Sequence, residues 1–199
     1  MSEAVAATGA DFVRQDVPPD SARIGRWMFI AGDAMVFGAA LAAYGALRFR
    51  NVNWPNPAAT LGIGLAAIMT FVLLGSSFTM AVAIAGIRRG DRGKFRIGLA
   101  LTIIGGVVFL SMQAFEWHRL IWDERLSIQT SLFAAAFFLL TGFQGMHVAG
   151  GIIYNAVLYV RGRSGKLPVE TTESVEIAGL HWHFVNIVWI LIFTFVYLM

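Results

Sequence analysis

The chain has 199 residues, of which 57% are hydrophobic and 14% are charged, with a formal net charge of +3 and a mean hydropathy of +0.68. Because so little polar surface cannot cover a water-soluble globule, the composition predicts a membrane protein. The absence of cysteine excludes disulfides, thiolate metal sites, iron–sulfur clusters and cysteine nucleophiles.

The N-terminal segment, residues 1–25, carries acidic residues and two prolines before any apolar run. It lacks the basic, then apolar, then small-residue order of a cleaved signal. We therefore expect a short, mostly disordered cytoplasmic tail, followed by a membrane domain over residues 26–199.

Five apolar windows follow, each long enough to cross about 30 Å of hydrocarbon at about 1.5 Å per residue. They are Trp27 to Leu47, Ala58 to Ile87, Ile97 to Trp117, Ser131 to Val160 and Ala178 to Met199. The glycines within these windows favour close helix packing. The sequence thus predicts an all-α membrane protein, a bundle of five transmembrane helices with no soluble domain.

The basic residues set the orientation of these helices. The N-terminal segment and the second and fourth loops carry eleven of the Lys and Arg residues, whereas the other side carries four: Arg48, Arg50, Arg119 and Arg125. The positive-inside rule then places the N-terminus in the cytoplasm and the C-terminus in the periplasm. Basic loops of this kind contact anionic lipid, and no nucleic-acid partner is predicted.

The first span contains an acid, Asp33, about 10 Å below its cytoplasmic end at the rise of a helix. An ionised carboxylate in hydrocarbon costs on the order of 3 kcal/mol, so Asp33 must be protonated, paired or hydrated. A histidine of the last span could be its partner. Both a packing role and a functional proton-coupling role account for such an acid.

The third span ends with Gln113 and Glu116 on one helical face, beside Trp117, His118 and Arg119. Aromatic residues and a cation at a membrane interface favour an anchoring network at the helix end over a functional acid. We interpret five other aromatic residues as interfacial anchors as well, namely Trp27, Trp54, Trp122, Trp182 and Tyr197.

The fourth and fifth spans carry histidines. His147 lies too deep to reach the interface and needs a partner inside the bundle. His183 and Asn186, three residues apart, share one face of the last span, whereas His181 and His183 diverge, which disfavours a metal site from that pair. A b-type haem between His147 and His183 is an alternative, but an interhelical hydrogen bond is sufficient.

Four ordered motifs resemble subunit III of the haem-copper respiratory oxidases. They are Gly32-Asp-Ala-Met-Val-Phe37, Gln113-Ala-Phe-Glu-Trp117, Gly142-Phe-Gln-Gly-Met-His-Val148 and Trp182-His-Phe-Val-Asn-Ile-Val-Trp189. The chain departs from the family pattern at Gly32, where Ser is usual, at Gln144, where His is usual, and at Asn186, where Asp is usual. The helix count is similar to that of the short five-helix bacterial form of cytochrome c or quinol oxidase subunit III.

The resemblance implies a non-catalytic accessory subunit in a bacterial inner membrane. It implies that the chain holds no haem or copper and has no catalytic or metal residues of its own. Haem and copper would lie in its partners, the catalytic subunit I and subunit II. Bound phospholipid and support of proton uptake are implied as well. The candidate polar groups for these roles are Asp33, Gln113, Glu116, His147, His183 and Asn186.

Three alternatives stay open at this point. One is the related five-helix protein that accompanies nitric oxide reductase. Another is a stand-alone proton-coupled transporter that uses Asp33 and the buried histidines as its relay. The third is a haem-binding electron carrier.

Overall fold

The computed structural model describes residues 21–52, 54–57, 61–163 and 169–199. Five α-helices follow one another, and the last continues into a π-helical segment. They are α1 (Ser21–Arg50), α2 (Ile63–Arg88), α3 (Arg92–Trp122), α4 (Leu132–Arg163) and α5 (Val169–Ile192), with the π segment at Phe193–Leu198.

Each of the five predicted windows contains a helix, and within the described ranges five helices are long and apolar enough to cross a membrane. The window predicted from Ala58 is helical from Ile63, and residues 58–60 lie outside the described residues. The observed helices begin or end outside several of these windows. α1 begins at Ser21, inside the segment predicted as a tail, while residues 1–20 lie outside the described residues. α5 begins at Val169, well before its apolar window at Ala178.

The described part of the chain divides into two compact units, with the boundary between Met35 and Val36. In the second unit α2 contacts α3, α3 contacts α4, α4 contacts α5, and α5 returns to α2. The core of this unit is rich in aromatic rings, such as Phe109 packed edge-on against Trp189 with ring centroids 4.7 Å apart. Dispersion between tightly packed side chains stabilises such contacts where lipid removes the hydrophobic drive between helices.

The most extensive helix contact joins α2 and α3, and a tight turn leads into it. Gly90 has a positive φ of 70°, a conformation that glycine adopts at little cost. Asp91 then caps α3 by accepting a hydrogen bond from the Lys94 amide at 3.0 Å. Deeper in the membrane, a Cβ at Gly98 would lie 2.7 Å from the Thr79 carbonyl oxygen, so a glycine is needed where the two backbones meet.

The interpretation of Trp182 and Tyr197 as interfacial anchors is wrong, because both are buried, at 1% exposure. Trp182 occupies a notch between Gly106 and Gly151, whose Cβ positions would lie 2.7 and 2.9 Å from atoms of its ring. The glycines that the sequence offered for close helix approach thus also make room for an indole.

The other three predicted anchors differ among themselves. Trp27 and Trp122 are exposed, at 57% and 70%. Trp54 is half-buried, with its ring edge-on to Tyr44 and to Phe133. Trp54 is therefore packed within the second unit and is not a free interfacial ring.

Candidate functional site: buried polar groups between helices

Several polar side chains of α3, α4 and α5 are buried, and four of them with amide or carboxyl groups, each at 5% exposure or less, form the candidate cluster: Gln113, Glu116, Gln144 and Asn186. Three of them were singled out in the sequence. Gln144 was noted there only as a departure from the family pattern. Buried polar groups are costly unless they form hydrogen bonds, so the partners of each decide what the cluster can do.

Glu116 is completely buried, and its Oε2 accepts a hydrogen bond from the Tyr197 hydroxyl at 2.8 Å. Glu116 therefore bonds inside the bundle, to the end of the last helix, and not to the aromatic residues beside it in the sequence. Tyr197 lies in the π-helical segment, where the wider turn changes the direction of successive side chains. Sequence periodicity assumes an α-helix and could not place this phenol against α3.

Gln113 lies one helical turn before Glu116 and faces α4. Its Nε2 donates to the Thr141 carbonyl at 2.6 Å, and its amide lies against Gly145, whose Cβ position is 3.0 Å from Oε1. Trp117 Nε1 also donates to Thr141, at its Oγ1, at 3.3 Å. Gly145 leaves the space in which the Gln113 amide reaches the α4 backbone.

Gln144 and Asn186 both bond to the backbone of α5. Gln144 on α4 donates from Nε2 to the Val185 carbonyl of α5 at 3.0 Å. Asn186 donates from Nδ2 to the Trp182 carbonyl of its own helix at 2.8 Å. Each amide thus uses its donor on a backbone carbonyl and leaves its oxygen as a buried acceptor.

The cluster has more acceptors than donors. Within the described ranges, four buried oxygens of this cluster have no hydrogen-bond donor: Gln113 Oε1, Glu116 Oε1, Gln144 Oε1 and Asn186 Oδ1. The nitrogens of the three amides are fixed by bonds to carbonyls, so turning the amides over would break those bonds. These four oxygens can accept hydrogen bonds from further O–H or N–H donors, and the Glu116 carboxylate can also bind a proton.

A second polar seam joins α5 to α2, and its α2 members were not predicted from the sequence. Ser77 Oγ and His183 Nδ1 are 2.5 Å apart, and Trp182 Nε1 donates to Ser76 Oγ at 3.0 Å. One further bond runs from Trp189 Nε1 to Thr70 Oγ1 at 3.0 Å. The tandem serines in the middle of an apolar span were the signal that could have found this seam.

His147 contacts its own helix and α5. Its Nδ1 lies 2.9 Å from the Phe143 carbonyl, and its ring faces that of His181 with centroids 6.3 Å apart. His181 in turn places Nε2 3.4 Å from the His147 carbonyl. The imidazole packed on His147 is thus that of His181, whereas His183 is bonded to Ser77.

Asp33 lies on α1 in the first unit and is partly buried. Among the residues that the structure describes, no group of three or more His, Asp or Glu side chains is arranged to hold a metal ion.

Similarity to known proteins identifies the family of this chain. The family model for cytochrome c oxidase subunit III matches residues 16–199, which is nearly the whole chain. The chain belongs to this family. It is accordingly a multi-pass protein of the bacterial inner membrane and an accessory subunit of a terminal oxidase complex.

Individual relatives agree with this membership. Cytochrome c oxidase subunit 3 of Alkalihalophilus pseudofirmus is 34% identical over 88% of this chain and 85% of the relative. The probable cytochrome c oxidase subunit 3 of Mycobacterium bovis is 35% identical over 90% of this chain and 88% of the relative. Quinol oxidase subunit 3 of Bacillus subtilis is 33% identical over 88% and 86%.

Proposed function

We propose that this chain is the non-catalytic subunit III of a proton-pumping terminal oxidase, packed on catalytic subunit I and next to subunit II, which carry the haem and copper. It supports proton uptake and the stability of the complex during aerobic respiration. The observation that carries the proposal is the family match over residues 16–199. The lack of cysteine and the engagement of His147 and His183 in protein hydrogen bonds agree with a supporting role.

The proposal includes the orientation and the tail. Residues 1–25 form the cytoplasmic end of the chain, with α1 beginning inside that segment, and residue 199 lies on the periplasmic side. The turn between α2 and α3 supports this orientation, because it carries Arg88, Arg89, Arg92 and Lys94 within seven positions.

Asp33 is the residue we assign to proton uptake. Placing an ionised carboxylate within a membrane span costs about 3 kcal/mol, and a functional role would explain its presence there. The test compares Asp33→Ala with Asp33→Glu in the purified complex, with the exposed acid Asp123→Ala as control. We expect lower proton pumping per electron and earlier loss of activity during turnover only in Asp33→Ala. Wild-type values in that variant would reduce Asp33 to a packing residue.

His147, His183, Asn186, Gln113 and Glu116 complete the polar groups of the proposal. The bonds of Gln113 to α4, of Glu116 to the π-helical end of α5 and of His183 to α2 support a role in holding these helices together. His147 and Asn186 bond to carbonyls of their own helices and support the local packing of α4 and α5. We assign these five residues a structural role, with no part in electron transfer.

Phospholipid is the ligand we assign to a groove of 370 Å³ in the second unit. Its walls are apolar, with Leu41, Phe49, Phe195 and Met199 among them, and Arg48 lies at the same groove. Arg48 Nη1 is buried without a hydrogen-bond partner among the described residues. A guanidinium beside an apolar groove suits an anionic head group followed by an acyl chain.

Lipid retention tests this assignment. Arg48→Gln and Arg50→Gln remove the same charge from the same end of α1, but Arg50 is exposed and does not line the groove. We expect mass spectrometry of the purified complex to find less tightly bound anionic phospholipid in Arg48→Gln alone. Equal lipid content in both variants would contradict the assignment.

Native co-purification tests the proposal as a whole. A tagged copy of this chain should bring down a haem-copper oxidase, and the chain alone in liposomes should neither move protons nor show a Soret band. Co-purification with the catalytic subunit of nitric oxide reductase, or transport by the chain alone, would replace the proposed function by one of the alternatives.

A further inference from the structure

Glu116 is a titratable group that the proposed proton-uptake role does not use. Its carboxyl is completely buried between α3 and the end of the chain, and only one of its two oxygens receives a donor, from the Tyr197 hydroxyl. An ionised carboxylate has room for about four donors and is stabilised by several of them. The single hydrogen-bond donor to Glu116 fits a neutral carboxylic acid better than a carboxylate anion.

Gln113, one turn before Glu116, also has a buried oxygen without a hydrogen-bond donor. Gln113 uses its amide nitrogen on the Thr141 carbonyl at 2.6 Å and keeps Oε1 buried without a donor. Gln113 and Glu116 lie on one face of α3, three residues apart. Gln113 reaches Thr141 of α4, and Tyr197, the donor to Glu116, packs on Phe137 one turn earlier on the same helix, with ring centroids 5.7 Å apart.

The charged alternative is an ion pair with Arg119, which lies one turn beyond Glu116 on the same helix. The Arg119 guanidinium, however, lies at the start of α2, with Nη1 and Nη2 each 3.3 Å from the Cβ position of Gly62. The ion pairs of the described residues do not include a pair between Arg119 and Glu116 within 4.0 Å.

We propose that Glu116 is a proton-binding site: a neutral carboxylic acid that accepts from Tyr197 at one oxygen and donates its proton from the other to Gln113 Oε1. One proton then satisfies two buried oxygens that otherwise have no donor. It also removes the cost of an unpaired buried charge. The bound proton thus joins Glu116 to Gln113 within α3, while Oε2 stays free to accept from Tyr197, the bond that links the π-helical end of α5 to α3.

Infrared difference spectroscopy of the intact complex tests the protonation state directly. Subtracting the Glu116→Gln spectrum from the wild type at neutral pH should leave a protonated-carboxyl C=O band that shifts in D₂O. In Gln113→Leu the band should persist but move to higher frequency, because the carboxyl has lost its acceptor. The control is Glu176→Gln, which removes an ion-paired carboxylate 2.8 Å from Arg88 and should leave the band intact.

Two spectral outcomes would overturn the proposal. If Glu116→Gln removes only ionised-carboxylate bands, Glu116 is an anion. If Gln113→Leu leaves the frequency of the carboxyl band unchanged, Gln113 is not the acceptor. Neither outcome depends on which catalytic subunit the chain accompanies, so the proposed function can fail or stand separately.

Thermal unfolding of the complex gives a second measurement. Glutamine resembles a neutral acid, since it can accept from Tyr197 and donate to Gln113, so Glu116→Gln should melt close to wild type. Glu116→Leu should melt clearly lower, because it leaves the Tyr197 hydroxyl without its acceptor. Arg119→Gln should change little. Equal losses in Glu116→Gln and Arg119→Gln would instead indicate an ion pair.

Discussion

Three aromatic residues of the last helix use the polar tip of a buried ring to bond to another helix. Trp182 reaches Ser76, Trp189 reaches Thr70, and Tyr197 reaches Glu116. Each ring supplies a large dispersion surface, and each N–H or O–H finds an acceptor that lipid cannot offer. At the scale of single residues, the end of the chain is therefore fixed by aromatic donors paired with small polar acceptors.

A double-mutant cycle should measure the Trp182–Ser76 bond. Trp182→Phe removes the donor and Ser76→Ala the acceptor, and each alone should lower the free energy of unfolding. We expect a coupling energy of about 0.6 to 1 kcal/mol, which is typical of interhelical hydrogen bonds in membranes. The measurement is unfolding of the purified complex in detergent.

The exposed Trp122, at 70% exposure, provides the control for this cycle. Trp122→Phe should change the stability little, and it should be additive with Ser76→Ala. A Trp182–Ser76 pair that is equally additive would show that the 3.0 Å contact contributes no net stability.

Residue types in the sequence identified Gln113, Glu116 and His183 as polar groups that need partners, because hydrocarbon penalises them at any position. Their partners could not be predicted in the same way. Ser77 and Tyr197 are separated from His183 and Glu116 by 106 and 81 positions, so only the packing of the helices brings them together.

At the scale of elements, two adjacent glycines of α4 have opposite surroundings. A Cβ at Gly151 would lie 2.9 Å from the Trp182 ring, whereas a Cβ at Gly150 would meet nothing within 4 Å. The first glycine permits the contact between α4 and α5, and the second lies on the exposed face of α4.

We expect Gly151→Ala to lower the free energy of unfolding by about 1 to 3 kcal/mol, the usual cost of overpacking a core. Gly150→Ala is its matched control, with the same change in helix propensity and no clash. Thermal unfolding of the two variants side by side is the measurement. Equal stability of the two would mean that the Trp182 notch adapts without cost.

The start of α3 depends on a carboxylate outside the membrane. The pKa of Asp91 is lowered from its ordinary value of 3.8, first by the hydrogen bond from the Lys94 amide and then by the Lys94 side chain. Because the folded pKa is the lower one, the stabilisation is fully present above the unfolded value. It is lost as the pH falls through the folded pKa.

Asp91→Ala should therefore destabilise the turn between α2 and α3 at neutral pH, and its difference from wild type should shrink in acid. Asp91→Asn keeps an acceptor for the Lys94 amide but does not titrate, so its difference from Asp91→Ala should stay constant with pH. Thermal unfolding of the three proteins across an acidic pH series checks this. A pH-independent gap between wild type and Asp91→Ala would contradict the assigned cap.

Helix existence was predicted well because long apolar windows are nearly sufficient for a helix in a membrane, where every backbone group must be paired within its own segment. Helix ends were predicted less well. α5 begins at Val169, where Glu170 and Glu173 interrupt the apolar pattern, and an apolar window does not detect such a polar first part of a helix. The π-helical segment at its other end has no signal in a hydrophobic periodicity.

At the scale of the whole molecule, the proposed orientation can be tested with the chain's own composition. Since the sequence contains no cysteine, any introduced cysteine is the only labelling site in the chain. Arg92 lies at the start of α3 and Glu124 follows its end, and both are exposed.

We expect Glu124→Cys to react with a membrane-impermeant maleimide added to whole cells, and Arg92→Cys to react only after permeabilisation. The physical reason is the excess of basic residues on the Arg92 side, which the inner membrane retains in the cytoplasm. If only the Arg92→Cys variant is labelled in intact cells, the orientation is the opposite of the proposed one.

The amino-acid sequence by itself determined that this chain is a membrane protein, that it spans the bilayer with five helices, and to which family it belongs. These properties follow from local composition and from ordered motifs, which need no knowledge of neighbours. Only the tertiary structure decided that Glu116 and Trp182 are buried, that Ser76 and Ser77 of α2 bond to α5, and that the oxygens of Gln113 and Glu116 outnumber their donors. Depth and partner are properties of packing between distant segments, and a hydrophobic pattern records neither of them.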